Sequence, residues 1–100
     1  MRLTEKQRTD ILQTSREIFG PDATVTLFGS RVDDTARGGD IDLMVTTGMN
    51  LAAARHQKIR FLVRLKKRIG DRRIDVVLRT PDSEERAIHR VASTEGVLIQ

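Results

Sequence analysis

Three aspartates and one glycine-serine pair carry the chemistry this sequence can offer. Asp40 and Asp42 stand two positions apart in the run Asp40-Ile41-Asp42-Leu43-Met44-Val45. Side chains of an extended strand alternate between its faces, so both carboxylates project one way while Ile41 and Leu43 project the other, toward a core. Carboxylates so close repel each other, and a hard cation such as Mg²⁺, completed by phosphate oxygens, removes the conflict. Upstream, Gly29-Ser30 directly follows Thr24-Val25-Thr26-Leu27-Phe28. Glycine lets the backbone approach a ligand closely, and a turn leading from a strand into a helix offers N–H groups and the Ser30 hydroxyl to an anion. Downstream, Asp75 sits within Ile74-Asp75-Val76-Val77-Leu78. Buried among those neighbours, it would lose several kcal/mol of solvation unless a cation or a proton met it, which makes it the carboxylate with the sharpest expected burial conflict. Asp is disfavoured in strands, so three such residues near one phosphate-type turn point to a site that gathers metal and phosphate.

The elements that must position these groups can be read in order. Leu3 to Phe19 is predicted as a helix, opened by a Thr4–Gln7 capping box and closed by Gly20-Pro21. The β-branched and aromatic run Thr24 to Phe28 is the first strand and delivers the Gly29-Ser30 turn. A short helix over residues 32–35 and a flexible reversal at Arg37-Gly38-Gly39 lead into a second strand, Asp40 to Thr46. Asn50 caps a long helix to Ile69, with Gly70 as its left-handed stop. Along it, Ile59, Leu62, Val63 and Ile69 form the predicted core stripe, while Phe61 and Leu65 extend an apolar arc wider than one small sheet covers. Arg73 to Arg79 is the third strand. Asp82 with Glu85 is predicted to cap a last helix through about Thr94, and Val97-Leu98-Ile99 adds a short strand. The fold class is therefore α/β (α+β): a small mixed sheet flanked by helices, with carboxylates of strands two and three meeting near the Gly29 turn.

Composition sets outer bounds. One hundred residues suit a single domain over 1–100 with a modest core. With 38% hydrophobic and 32% charged residues the chain is ordinary for a globular protein. No apolar run reaches the roughly 20 residues of a membrane span, and the N-terminus lacks a signal pattern, so a cytoplasmic location is expected. The absence of cysteine excludes disulfides and thiolate metal sites. The net charge of +4 matters less than its placement, because residues 51–70 hold Arg55, Lys58, Arg60, Arg64, Lys66, Lys67 and Arg68 without one acid. By default that is a solvated helix face; its second reading is a footprint for an acidic protein or nucleic acid, the latter weakened by the scarcity of aromatic residues for base stacking. His56 and His89 read as surface or packing residues, since neither has metal-type spacing. Arg31 either contacts phosphate or pairs with Asp33 or Asp34.

The combination of Gly29-Ser30-Arg31, Asp40-Ile41-Asp42 nine residues beyond Arg31, and Asp75 inside a later apolar strand resembles the DNA polymerase β-type nucleotidyltransferase superfamily. Within it the chain is most similar to minimal nucleotidyltransferases, the MNT antitoxins that pair with HEPN-domain toxins; Ala87-Ile88-His89-Arg90 and Glu95-Gly96-Val97-Leu98-Ile99 resemble the family's ending. The resemblance implies a polymerase β-like core and two-metal transfer. In that scheme Asp40 and Asp42 hold two Mg²⁺ ions, Asp75 serves the metal beside the attacking hydroxyl, and Gly29, Ser30 and Arg31 bind the nucleotide. It further implies AMP transfer from ATP to a tyrosine of a HEPN toxin within a hetero-oligomer, for which the Phe61/Leu65 arc and the basic residues Arg60, Arg64 and Lys67 are the expected contact. Two other classes stay open: an aminoglycoside-type small-molecule nucleotidyltransferase, and a non-catalytic module that binds a toxin or RNA.

Overall fold

Thr4 starts the first helix as its capping box predicts: its Oγ1 accepts from the Gln7 N–H and its N–H donates to Gln7 Oε1, both at 3.0 Å. The computed structural model describes residues 3–29 and 40–100. In chain order these form α1 (Glu5–Phe19), β1 (Thr24–Phe28), β2 (Ile41–Thr46), α2 (Leu51–Ile69), β3 (Ile74–Arg79), α3 (Ala87–Glu95) and β4 (Val97–Ile99). The predicted short helix at 32–35 and the Arg37-Gly38-Gly39 reversal lie outside the described residues.

The strands form one sheet in the order β3-β2-β1-β4. β1 is antiparallel to both β2 and β4, whereas β2 and β3 run parallel. Parallel neighbours need a crossover, and α2 supplies it. The sheet is therefore mixed, as the sequence predicts. Period-two alternation sorts its residues into two faces. Val25, Leu27, Ile41, Leu43, Val45, Ile74 and Val76 pack with Ile11, Ile18, Phe19, Phe61 and Leu65 of α1 and α2. On the other face Phe28, Met44 and the partly buried Val77 pack with Ile88 and Ala92 of α3. Asp42 and Asp75 share strand parity with Met44 and Val77, so they belong to the α3 face.

Four expectations change. The buried stripe of α2 is Ala54, Phe61 and Leu65, with Leu62 and Ile69 packed beside it; Ile59 and Val63 are 64% and 54% exposed. Apolar residues cover a broad arc of this helix, so periodicity alone could not choose which part of the arc faces inward. The choice comes from α1: the Phe61 ring meets Phe19 at 5.4 Å, Gln57 Nε2 donates to Ile18 O at 3.1 Å, and Arg68 Nη1 donates to Thr14 Oγ1 at 2.8 Å. Phe61 and Leu65 are fully buried and are not a partner-binding arc. Part of the basic strip is likewise structural, because Arg64 and Arg68 pair with Glu17 of α1 at 3.4 and 2.9 Å.

The second correction concerns the last helix. Asp82 does not cap it; α3 begins after Arg86, and the Asp82 carboxylate accepts from the Leu51 N–H and Thr80 Oγ1, each at 2.8 Å. It serves the N-terminus of α2 alongside Asn50, whose side chain accepts from the Ala53 N–H. Those bonds hold the Asp82 carboxyl below its ordinary range, the Thr80 hydroxyl contributing most. Third, Gly70 stops α2 with positive φ but is not left-handed helical: φ 102° pairs with ψ 165°. Fourth, β2 begins at Ile41, with Asp40 immediately before it.

Candidate active site

The site is built at the sheet end where β1 finishes and β2 and β3 begin. Because β1 and β2 are antiparallel, Phe28 lies opposite Asp42, which brings the Gly29 turn to that aspartate. Because β2 and β3 are parallel and in register, Asp42 lies beside Asp75. Three segments distant in sequence thus meet across two strand pairings, and equal parity sends both carboxylates to one face.

Gly29 is fitted to this meeting. Its φ is +75°, a conformation that side chains with a Cβ rarely adopt. A Cβ there would also run into Asp42 Oδ2 and stand 3.1 Å from Asp42 Cγ. The backbone of the turn therefore lies directly against the carboxylate. Ser30 and Arg31 lie outside the described residues.

Asp42 is the electrostatic centre. Its carboxyl is pushed above the ordinary value, first by burial, next by the charge of Asp75 and then by that of Asp40; a hydrogen bond with Asp75 acts in the same direction, and Arg73 opposes them. Asp75 is 49% exposed and pairs with Arg73 Nε at 3.4 Å. The burial conflict expected at Asp75 therefore falls on Asp42. The cause is topological: among the described residues β3 ends the sheet and leaves Asp75 open to solvent, while Asp42 is flanked by β1 and β3. Asp40, exposed at the entrance of β2, acts on Asp42 through its charge.

Among the described residues no three His, Cys, Asp or Glu side chains already converge as a metal cluster. The Asp42–Asp75 pair nevertheless fits a hard divalent cation: its donors are carboxylate oxygens, and burial with the charges of Asp75 and Asp40 raises the Asp42 carboxyl in spite of Arg73. Magnesium-type ions usually take only one or two protein carboxylates and complete their shell with water and substrate phosphate, which suits such a half-built site.

Sequence reasoning missed one contributor. Arg73 precedes Asp75 by two residues and so shares its face; the same period-two rule that paired Asp40 with Asp42 could have found it. His89 is buried in α3, where Nδ1 accepts from the Arg86 N–H and Nε2 donates to Leu78 O, both at 2.9 Å. It is a packing residue, as its spacing suggested, and it ties α3 to β3. At the other end of α3 a Cβ on Gly96 would stand 3.0 Å from Leu27 O and still closer to Ala92 O, so the helix ends packed against β1 beside the site.

A mixed sheet thus presents paired carboxylates on parallel strands, faced by a glycine turn from a third, an arrangement able to gather a cation and a phosphate at one place. No curated protein gives a significant match to the chain. The profile of the nucleotidyltransferase domain matches residues 8–98, and the chain belongs to that family. The match spans β1, β2 and β3, most of β4, Gly29 and all three aspartates. Membership supports nucleotidyl transfer, a chemistry that generally uses nucleoside triphosphates and divalent metals.

Proposed function

We propose that this chain is a Mg²⁺-dependent nucleotidyltransferase that moves AMP from ATP to a tyrosine hydroxyl of a partner HEPN-domain toxin and thereby silences it. One observation carries the transfer reading: Asp42 and Asp75 lie side by side across parallel strands while the Gly29 backbone rests against Asp42. The resemblance to minimal nucleotidyltransferases supplies the adenylyl group and the partner. Asp40, Asp42 and Asp75 would hold two Mg²⁺ ions, which when bound neutralise the triphosphate and ease ionisation of the attacking hydroxyl. Backbone amides at Gly29, with Ser30 and Arg31, bind the phosphates. Asp75, the exposed member of the pair, faces the acceptor and takes its proton. The acceptor oxygen bonds to the α-phosphorus, the bond from that phosphorus to the bridging oxygen breaks, and pyrophosphate leaves with the electron pair.

The test is incubation of the chain and its co-expressed HEPN partner with α-labelled ATP and Mg²⁺. Label should appear on a partner tyrosine and RNA cleavage should fall. EDTA should abolish transfer, and Asp42→Asn should lower it on the order of 10³-fold, the scale of losing a group that stabilises transition-state charge. Silencing by Asp42→Asn without label transfer would make the chain a steric inhibitor instead.

A further inference from the structure

A cleft of about 790 Å³ runs along β3 between α2 and the start of α3, lined by Val76, Val77 and Leu78 on the strand and by Arg55, Lys58 and Arg86 on its flanks. Among the described residues β3 is an end strand of the sheet. Its hydrogen-bonding direction can be read from its two ends: Arg73 O accepts the Ile41 N–H and Arg79 O accepts the Thr47 N–H. Odd-numbered residues therefore turn their backbone groups toward β2, and Ile74, Val76 and Leu78 turn theirs outward. His89 occupies the Leu78 carbonyl and blunts the far end of the edge. What remains outward is the stretch from Val76 to Ile74, which flanks Asp75.

We propose that this edge binds an extended acidic segment of a partner protein, which joins the sheet as an added strand and carries its hydroxyl to Asp75. Main-chain pairing gives such a segment affinity, and its alternating side chains give it register. Side chains of one parity fall on the α3 face with Asp42 and Asp75; those of the other parity fall on the α2 face with Arg55 and Lys58. An acceptor tyrosine beside Asp75 therefore sends the residues on its Val76 side into the cleft that Arg55 and Lys58 line, and acidic residues belong there. Among the described residues Glu84 is the one acid lining the cleft, against the three cations. A second copy of this chain is a poor occupant, since edge-to-edge pairing would set Arg55, Lys58 and Arg86 against their own counterparts. Single-stranded nucleic acid is disfavoured as well: no Phe lines the cleft, the chain has no Trp or Tyr, and both nitrogens of His89 are engaged. The acceptor role rests on the transfer reading above, whereas docking at the edge does not.

The experiment exposes the full chain, without nucleotide, to an immobilised pool of random peptides with a fixed central tyrosine. Retained peptides should be enriched in Asp and Glu on one side of the tyrosine, the side that runs past Val76 into the cleft. Their binding should slow amide exchange at Ile74 and Val76, and N-methylation on the pairing edge of the peptide should abolish it. Arg55→Glu and Lys58→Glu, checked for unchanged melting, should each weaken the selected peptide about tenfold and shift selection toward Lys and Arg. Absence of acidic enrichment, selection unaltered in both variants, or protection centred on Ile59 and Val63 would overturn the proposal. So would tighter binding of oligouridylate that protects the same amides. A peptide that docks but is never labelled by α-labelled ATP leaves the docking intact and overturns the acceptor role; label transfer to a partner without any edge protection does the reverse.

Discussion

Gly29 and Asp42 share one small volume: the space that a side chain on Gly29 would need is filled by the Asp42 carboxylate. The two residues belong to different strands, and the antiparallel pairing of Phe28 with Asp42 brings them together. On the proposed function, a phosphate drawn to the turn would also be drawn to Asp42, because the two lie in contact.

Gly29→Ala should therefore fail twice. The positive φ costs roughly 1–2 kcal/mol for a residue with a Cβ, and the new methyl must displace the carboxylate. Thermal unfolding should shift down by about 4–8 °C per kcal/mol lost, the usual scale for a domain of this size. Calorimetry with ATP and Mg²⁺ should detect no binding even where the variant remains folded. Binding at wild-type affinity would place the phosphates away from this turn.

Asp42 gives a pH prediction whose sign follows from its raised proton affinity. Below the ordinary carboxyl value of 3.8 the group is protonated in both folded and unfolded chains and costs nothing. As pH rises through the higher folded value, the folded state must hold an unfavourable charge and stability is lost. Asp42→Asn removes that loss, so in metal-free buffer it should melt above wild type at neutral pH, with the gap closing as the solution is acidified toward pH 4. Added Mg²⁺ should raise the wild-type melting temperature and leave the variant unmoved. Identical melting curves at neutral pH would show that Arg73 already compensates the charge.

The two sides of α2 should respond in opposite ways. Phe61→Ala removes a fully buried ring that meets Phe19, and should cost about 3–5 kcal/mol. That is a large part of the roughly 5–15 kcal/mol that holds a typical domain folded. Ile59→Ser, on the exposed side, should change stability by no more than about 0.5 kcal/mol. Urea unfolding of both variants measures the contrast, and a reversed order would mean that α2 is turned about its axis.

His89→Ala should cost about 2–3 kcal/mol, because it leaves the Leu78 carbonyl and the Arg86 N–H without their partner. Amide exchange should quicken first in α3 and at the far end of β3. Uniform loosening of α1 and α2 instead would remove His89 from its place as the tie between α3 and the sheet.

Much of this protein was legible before folding was considered. Capping chemistry is local, so Thr4, Gln7 and Asn50 marked the helix starts correctly. Strand runs between turn residues are local too, which is why all four strands fall where β-branched and apolar residues cluster. The period-two rule sent Asp42 to the face opposite Ile41 and Leu43, and that outcome needed nothing from the rest of the chain. What the sequence could not decide were relations between elements. Asp82 was read as a cap for the helix after it, yet the unpaired N–H groups it satisfies belong to α2, brought near by the fold. The inner side of α2 depended on where Phe19, Ile18 and Thr14 of α1 came to lie, since its own apolar residues spread over an arc too broad to single out one stripe. The burial of Asp42 rather than Asp75 depended on strand order, which no strand's composition encodes. An aspartate's type and face are properties of its own stretch of chain; its solvation, its neighbours and therefore its charge are set by which strands the tertiary structure places on either side.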